Sequence, residues 1–283
     1  EIIFIGSTQS TDLPVVNGYQ SFLSGSRDAF IAKLDTNGVL LWASYYGGAG
    51  DDEALDVASD LFGNIAFTGN TSSSDFPVTS AAFQTAQQGA ADAFIVNLDK
   101  NGSRKWATYF GGSSDEYGQG ICMDKSGSIA ISGFTGSVNL PILNAVQASP
   151  GGGSFDAFVA KLDSAGNLNW ASYYGGNSDE SEAAFESKVN LAIDSCDNIY
   201  LATTTLSTNI TTKVSCAPGY NVAALNGYSD AFIAKFSNGG EHLWGTFLGG
   251  DGKDFRVAIA TDRNNNLFST GEWSGITVTN ATY

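Results

Sequence analysis

The feature that most constrains this chain is a stretch that returns four times. It reads DAFIAKLDTNGVLLWASYYGG at 28–48, DAFIVNLDKNGSRKWATYFGG at 92–112 and DAFVAKLDSAGNLNWASYYGG at 156–176. A looser copy, DAFIAKFSNGGEHLWGTFLGG, lies at 230–250. The first three copies are 64 residues apart and the fourth follows after 74. A fixed period of this size marks a repeat architecture, in which each unit buries its apolar faces against its neighbours.

Each period holds four short apolar segments. In the first full period they are 54–60 (ALDVASD), 64–69 (NIAFTG), 92–99 (DAFIVNLD) and 105–112 (KWATYFGG). They are rich in β-branched and aromatic residues, bounded by turn residues and too short for helices. Read as strands a, b, c and d, they are joined in two ways. Strands a–b and c–d meet through tight turns such as Asp60-Leu-Phe-Gly63 and Asp99-Lys-Asn-Gly102, where Asp bonds its own backbone and Gly supplies positive φ. Strands b–c are joined by long linkers rich in Ser, Gly and Gln, and d leads to the next a through Gly-Gly and an acidic run.

Four antiparallel strands per repeat describe a propeller blade. The expected fold is an all-β propeller, with strands apolar on both sides because blades pack on both faces. Residues 1–48 supply strands b, c and d of a first blade. Complete blades are expected at 54–112, 118–176 and 189–250, and strands a and b of a fifth within 257–283. Three complete and two partial blades suggest a segment of a larger propeller; the alternative is a five-position ring whose partial blades share one place.

The recurring DAF, Trp and Gly-Gly, with GNIxxTGxT and the Asp/Asn-Leu/Phe-Pro element at Asp12-Leu-Pro14, Asp75-Phe-Pro77 and Asn139-Leu-Pro141, resemble the SBBP family. This is the bacterial repeat named for a seven-bladed β-propeller. The fourth unit departs at Asn209-Ile-Thr211, without Pro, and at Ser237, where the others carry Asp. The resemblance implies an exported or cell-surface protein, commonly large and multidomain, and no defined activity.

Composition narrows the partners. The formal charge is −16, from 29 acidic and 13 basic residues. Nucleic acid binding needs clustered Lys and Arg, and anionic membranes are disfavoured for the same reason. No apolar run approaches the length of a membrane span. The chain opens inside a strand-like run, EIIFIG, as expected of a mature or trimmed segment.

Strand polarity places the b–c linkers and d–a loops at one end of each blade and the tight turns at the other. Long loops on a rigid scaffold are where binding usually resides. The d–a loops place Asp52, Glu116, Glu180 and Asp254 at equivalent points after Gly-Gly. One reading is Ca²⁺ binding, which needs several carboxylate and carbonyl oxygens in one coordination sphere. The other, favoured because these charges lie one blade apart, is that each caps backbone N–H groups of its own loop.

Trp42, Trp106, Trp170 and Trp244 share one position of strand d and are expected to pack between blades; Trp273 has no counterpart. Cys122 reads as a buried apolar residue. Cys196 and Cys216, both in the enlarged fourth unit, are a disulfide candidate fitting an oxidising compartment. The single histidine, His242, leaves little room for acid–base catalysis, and no nucleophile, phosphate-loop or metalloprotease motif is present. The expected function is a non-enzymatic surface scaffold binding a protein or glycan, with other domains or chains completing the propeller. The alternatives are a structural or adhesive module and, third, a carbohydrate-active enzyme using carboxylates of the loop face.

Overall fold

The computed structural model describes residues 1–180, 188–213 and 222–274. Among these the fold is all-β, with no helix. The first sheet contains β1 (Ile2–Thr8), β2 (Asp28–Leu34) and β3 (Leu40–Tyr46). The second contains β4 (Asp52–Ser59), β5 (Ile65–Thr71), β6 (Asp92–Leu98) and β7 (Arg104–Phe110). The third contains β8 (Glu116–Met123), β9 (Ile129–Thr135), β10 (Asp156–Leu162) and β11 (Leu168–Tyr174). The fourth contains β12 (Asn190–Ile193), β13 (Ile199–Thr205), β14 (Asp230–Phe236) and β15 (His242–Leu248). A last hairpin pairs β16 (Phe255–Thr261) with β17 (Leu267–Glu272). Strands run in sequence order within every sheet. Three four-stranded sheets and two partial ones fit a propeller-like arrangement.

In three of its four copies strand a begins earlier than its apolar pattern suggests, β12 at Asn190 being the exception. β4 starts at Asp52 rather than residue 54, β8 at Glu116 rather than 118, and β16 at Phe255 rather than 257. The reason lies in the backbone. Asp52 pairs with Thr71 in the ladder, and its N–H donates to Arg27 O at 2.8 Å. Glu116, Glu180 and Asp254 donate likewise to Ala91, Phe155 and Ser229 carbonyls at 2.8, 3.0 and 2.9 Å. The acidic residues are therefore held in backbone pairing, although they look like loop residues in the sequence.

The tight turns follow one plan. In seven of them an Asp carboxylate accepts N–H groups two and four residues on, as Asp35 does from Asn37 and Val39 at 2.8 and 2.9 Å. Ser237 keeps this turn without the carboxylate. Its hydroxyl accepts Glu241 N–H at 3.0 Å and its carbonyl accepts Gly240 N–H at 3.0 Å.

The chain divides into two compact units. The first comprises residues 1–131, 137–141 and 162–168. Its core joins Ile31, Trp42 and Tyr46 to Ile65, Phe67, Phe94, Val96 and Tyr109. Phe76, from the Asp-Phe-Pro element, sits among them, with ring centroids 4.5 Å from Phe94, 5.3 Å from Tyr46 and 5.9 Å from Tyr109. Each residue of the element has a task. Asp75 accepts Ala49 N–H at 2.8 Å, Phe76 fills the core, and Pro77 O accepts the Tyr46 hydroxyl at 2.8 Å. The second unit comprises 132–136, 142–161 and 169–283. In it Asn209-Ile-Thr211 performs the same tasks without Pro. Asn209 accepts Asn177 N–H at 2.7 Å, Ile210 is buried, and Thr211 O accepts the Tyr174 hydroxyl at 2.9 Å. The task of the third residue belongs to a carbonyl, so the side chain can change.

Within each unit, successive sheets are locked by tryptophan on glycine. Trp42, Trp106 and Trp170 are buried beneath Gly102, Gly166 and Gly240, the last residues of the next c–d turns. Trp106 Nε1 donates to Ser164 O and Trp170 Nε1 to Asn238 O, both at 3.0 Å. The matching carbonyl beneath Trp42, Lys100 O, is taken by Lys33 Nζ at 2.9 Å, and Trp42 Nε1 has no partner among the described residues. The tryptophan ladder is thus packing between sheets. Trp244 and Trp273 are half-buried against the cluster of Ala202, Ala231, Ile233 and Val257.

Gly38 and Gly102 separate the two costs of adding a Cβ. Both have positive φ, 82° and 84°, but nothing lies within 4 Å of a Cβ at Gly38, whereas one at Gly102 would lie 2.9 Å from the Trp42 ring. Gly38→Ala is expected to cost about 1–2 kcal/mol from backbone strain alone. Gly102→Ala is expected to lose about 1–3 kcal/mol more by overpacking. Denaturant midpoints of the two variants, compared in one titration series, check this difference.

Candidate functional site

The b–c linkers are not free loops. In the described residues, each pairs with the outer edge of strand d. Val16 and Ala43 exchange backbone bonds at 2.9 and 3.3 Å, and Tyr45 N–H donates to Gln20 O at 3.2 Å. Thr79 and Gln84 do the same beside β7, Leu143 and Gln147 beside β11, and Lys213 and Val222 beside β15. This covers an edge that would otherwise offer unpaired backbone groups to another chain.

A glutamine fastens the linker. Gln20 N–H donates to Ser44 Oγ at 2.9 Å, its Nε2 donates to Asp28 at 2.7 Å, and its Oε1 accepts Gly47 N–H at 3.1 Å. Gln84 repeats these bonds with Thr108, Asp92 and Gly111 at 2.9, 2.9 and 3.0 Å. Gln147 bonds Ser172 and Gly175 at 2.9 and 3.1 Å. Sequence reading missed this clamp. Its signal is a Gln eight or nine residues before each of the first three DAF motifs, replaced by Val222 in the fourth.

At the centre of each junction two carboxylates flank the first glycine of Gly-Gly. Asp28, Asp92 and Asp230, at the start of strand c, and Asp52, Glu116, Glu180 and Asp254 are fully buried, and Asp156 is nearly so. A Cβ on Gly47 would lie 2.6 Å from Asp52 and 2.8 Å from Asp28, and Gly111, Gly175 and Gly249 are equally hemmed in. The glycine is there because two acids need its space. The second carboxylate always accepts the N–H of the second glycine: Gly48 to Asp52 at 2.8 Å, Gly112 to Glu116 at 2.6 Å, Gly176 to Glu180 at 3.1 Å and Gly250 to Asp254 at 2.6 Å. The capping reading of these four residues describes their geometry. Among the described residues no group of three His, Cys, Asp or Glu side chains is placed to hold a metal ion.

Burial dominates the electrostatics. It raises Asp52, Asp92 and Asp156 above the usual Asp value, with hydrogen bonds from neighbouring groups opposing it. Asp230 is raised to about 6, by burial and then by Asp254. Glu180 is raised to about 9, by burial and then by Asp156. A buried carboxyl with a strongly raised pKa is what a glycosidase acid would show. Here, however, the carboxylates are sealed from solvent and the arrangement recurs at every junction.

Solvent meets a different set of groups. Asp51 and Asp251 are exposed, Asp115 and Asp179 half-exposed. Asp51 lies 3.8 Å from Arg27 and accepts the Ser26 hydroxyl. In the first unit a groove of about 260 Å³ opens where linker and d–a loop meet. Phe83, Gln88, Asn139 and Pro141 line it, with Gly111 and Gly112 as its floor. Phe83 is 38% exposed and its ring stacks 6.4 Å from Phe110.

The remaining candidates are placed as follows. Cys122 is buried, and Cys196 is exposed in the turn after Asp194. Cys216, and with it the pairing to Cys196, lies outside the described residues. His242 is buried, its Nε2 3.0 Å from the Tyr174 hydroxyl, so it offers no surface for acid–base chemistry.

No protein-family description matches the chain, and no curated protein matches it. Among solved structures it is similar to a protein of unknown function from Bacteroides caccae, at 10% identity with a TM-score of 0.45. That alignment covers 85% of this chain and 60% of the other, so the chain spans under two thirds of that protein's length.

Gln20→Ala would leave Gly47 N–H and Asp28 short of buried partners and is expected to cost about 1–3 kcal/mol, read as a shifted denaturant midpoint. His242 titrates below its ordinary 6.5, through burial first and the Lys213 charge second. A depressed histidine contributes stability that is present above about 6.5 and is lost as pH falls through the folded value. His242→Gln is therefore expected to lose less stability than the parent between about pH 7 and 5, as thermal midpoints across that range will show.

Proposed function

We propose that this chain is a segment of a β-propeller that serves as a non-enzymatic scaffold at the cell surface or in the extracellular space. It binds a protein or a glycan at the end of the sheets where b–c linkers and d–a loops meet. The propeller reading is supported by three sequential four-stranded sheets and by the tryptophan-on-glycine contact between successive sheets within each unit. The extracellular reading rests on the resemblance to SBBP repeats.

The observation that carries the binding reading is the groove at Phe83. It has a rigid floor, Gly111 and Gly112, fixed by Gln84 and Glu116. An exposed aromatic ring on one wall and an amide-bearing Asn139 on the other suit a sugar ring or an extended peptide, which need an apolar platform beside polar groups. The equivalent positions in the neighbouring repeats are Tyr19, which stacks on Tyr46 as Phe83 does on Phe110, and Val146, so the aromatic wall is shared by the first two repeats and lost in the third. The fully buried carboxylates favour a binding reading over an enzymatic one, since a catalytic acid must reach its substrate.

The test is a glycan array, together with a displayed peptide library, probed with the full chain and with Phe83→Ser. A ligand bound by the parent and weakened at least about tenfold by the variant, with unchanged circular dichroism, supports the reading; about 1.4 kcal/mol separates those affinities. Binding unaffected by Phe83→Ser would move the site elsewhere, and turnover of an arrayed glycan would replace the scaffold by an enzyme.

A further inference from the structure

Of the junctions, the one at Gly175 is filled differently. Asp156 Oδ2 accepts Gly151 N–H at 2.5 Å. Glu180 Oε1 accepts Gly176 N–H at 3.1 Å, Ser207 Oγ–H at 2.6 Å and Thr205 Oγ1–H at 3.2 Å. The other oxygen of each, Asp156 Oδ1 and Glu180 Oε2, is buried and has no donor among the described residues. These two oxygens converge on one point. A Cβ on Gly175 would lie 2.4 Å from Asp156 Oδ1 and 2.3 Å from Glu180 Oε2.

The other junctions are more fully supplied. At Gly47 the facing oxygens, Asp52 Oδ2 and Asp28 Oδ1, take N–H groups from Gly48 and Gly25. At Gly111, Asp92 Oδ1 takes Gly89 N–H and Glu116 Oε2 takes Gly112 N–H. At Gly249, Asp230 Oδ1 has no donor among the described residues, but Asp254 Oδ2 takes Gly250 N–H. At Gly175 both facing oxygens lack a donor among the described residues. Two ionised carboxylates cannot hold that position, because each is desolvated and repelled by the other. No cation is among the groups acting most strongly on the pair, and the neighbouring charge, Asp179, is negative.

We propose that Asp156 and Glu180 share one proton at neutral pH, and that this carboxyl–carboxylate hydrogen bond is a pH-sensitive latch tying the start of β10 to the loop after β11. The proton resides on Glu180 Oε2 and is donated to Asp156 Oδ1. Both facing oxygens are then satisfied, and the pair carries one charge instead of two. Burial, which raises both acids and Glu180 to about 9, agrees with this placement.

The sign follows. An acid whose pKa is raised on folding contributes stability that is fully present below its ordinary value, 4.5 for Glu, and is lost as pH rises through the folded value, about 9. The latch is closed in acid and opens in alkali, opposite to the effect of His242.

The experiment compares the full chain with Glu180→Gln by equilibrium denaturation from pH 5 to 9, with Asp156→Asn as the second variant. Gln keeps the shape and donates an N–H toward Asp156 without titrating. The unfolding constant of the parent, relative to Glu180→Gln, is expected to rise by up to tenfold per pH unit across this window, the slope of one proton. Infrared absorption of a protonated carboxyl at pH 7 is expected in the parent and lost in Glu180→Gln, a readout independent of stability. Equal pH slopes in parent and variants would overturn the proposal, as would the absence of that carboxyl band. So would stabilisation of the parent by added calcium that Glu180→Gln lacks, since a cation and not a proton would then fill the gap. If Glu180→Gln does not fold, the slope and band of Asp156→Asn decide the matter in the same way.

Discussion

The closing of one sheet against the next depends on an indole ring laid over a glycine. Trp42, Trp106 and Trp170 each need a turn without a side chain above them, and Gly102, Gly166 and Gly240 provide it. The same glycines adopt the positive φ that ends the c–d turn. A single residue type therefore satisfies the hairpin and the contact between sheets. Around it the aromatic core assembles, with Phe76 and Tyr46 of the first unit packed on the same strands that present the rings.

The opposite end of each sheet is held by polar atoms in a dry place. There the linker, strand c and the next strand a meet through a glutamine, two carboxylates and the amides of Gly-Gly. Burying that many acids is costly unless each oxygen has a donor. Most are donated to by backbone N–H groups, which carry no counter-charge and need no long side chain to be ordered. This reconciles an acidic chain with rigid loops: the innermost charge is spent internally, while Asp51, Asp115, Asp179 and Asp251 face outward.

Much of this was legible in the sequence where a residue recurs and acts locally. The strands, the Asp-x-x-Gly turns and the packing role of the tryptophans follow from period and residue type. What escaped were interactions whose partners lie far apart or leave no side-chain trace. The linker pairs with strand d through its backbone, so nothing but Gln20, Gln84 and Gln147 marks it. Asp156 and Glu180 are separated by a hairpin and meet only because Gly175 leaves room. β4 and β8 begin at an acid that reads as loop, since hydropathy cannot distinguish a carboxylate in solvent from one held by amides. His242 occupies the place of Arg104 and still reaches the equivalent tyrosine hydroxyl, a substitution whose geometry no pattern announces.

Several of these contacts end on a main-chain carbonyl. Trp106 and Trp170 donate to the backbone of Ser164 and Asn238, and Tyr46 and Tyr174 to that of Pro77 and Thr211. Every residue type offers the same carbonyl. The receiving half of the joint is therefore blind to which side chain follows it, and a newly duplicated unit would fit its neighbour at once. An array joined this way can lengthen by copying first and diversify its outer loops afterwards.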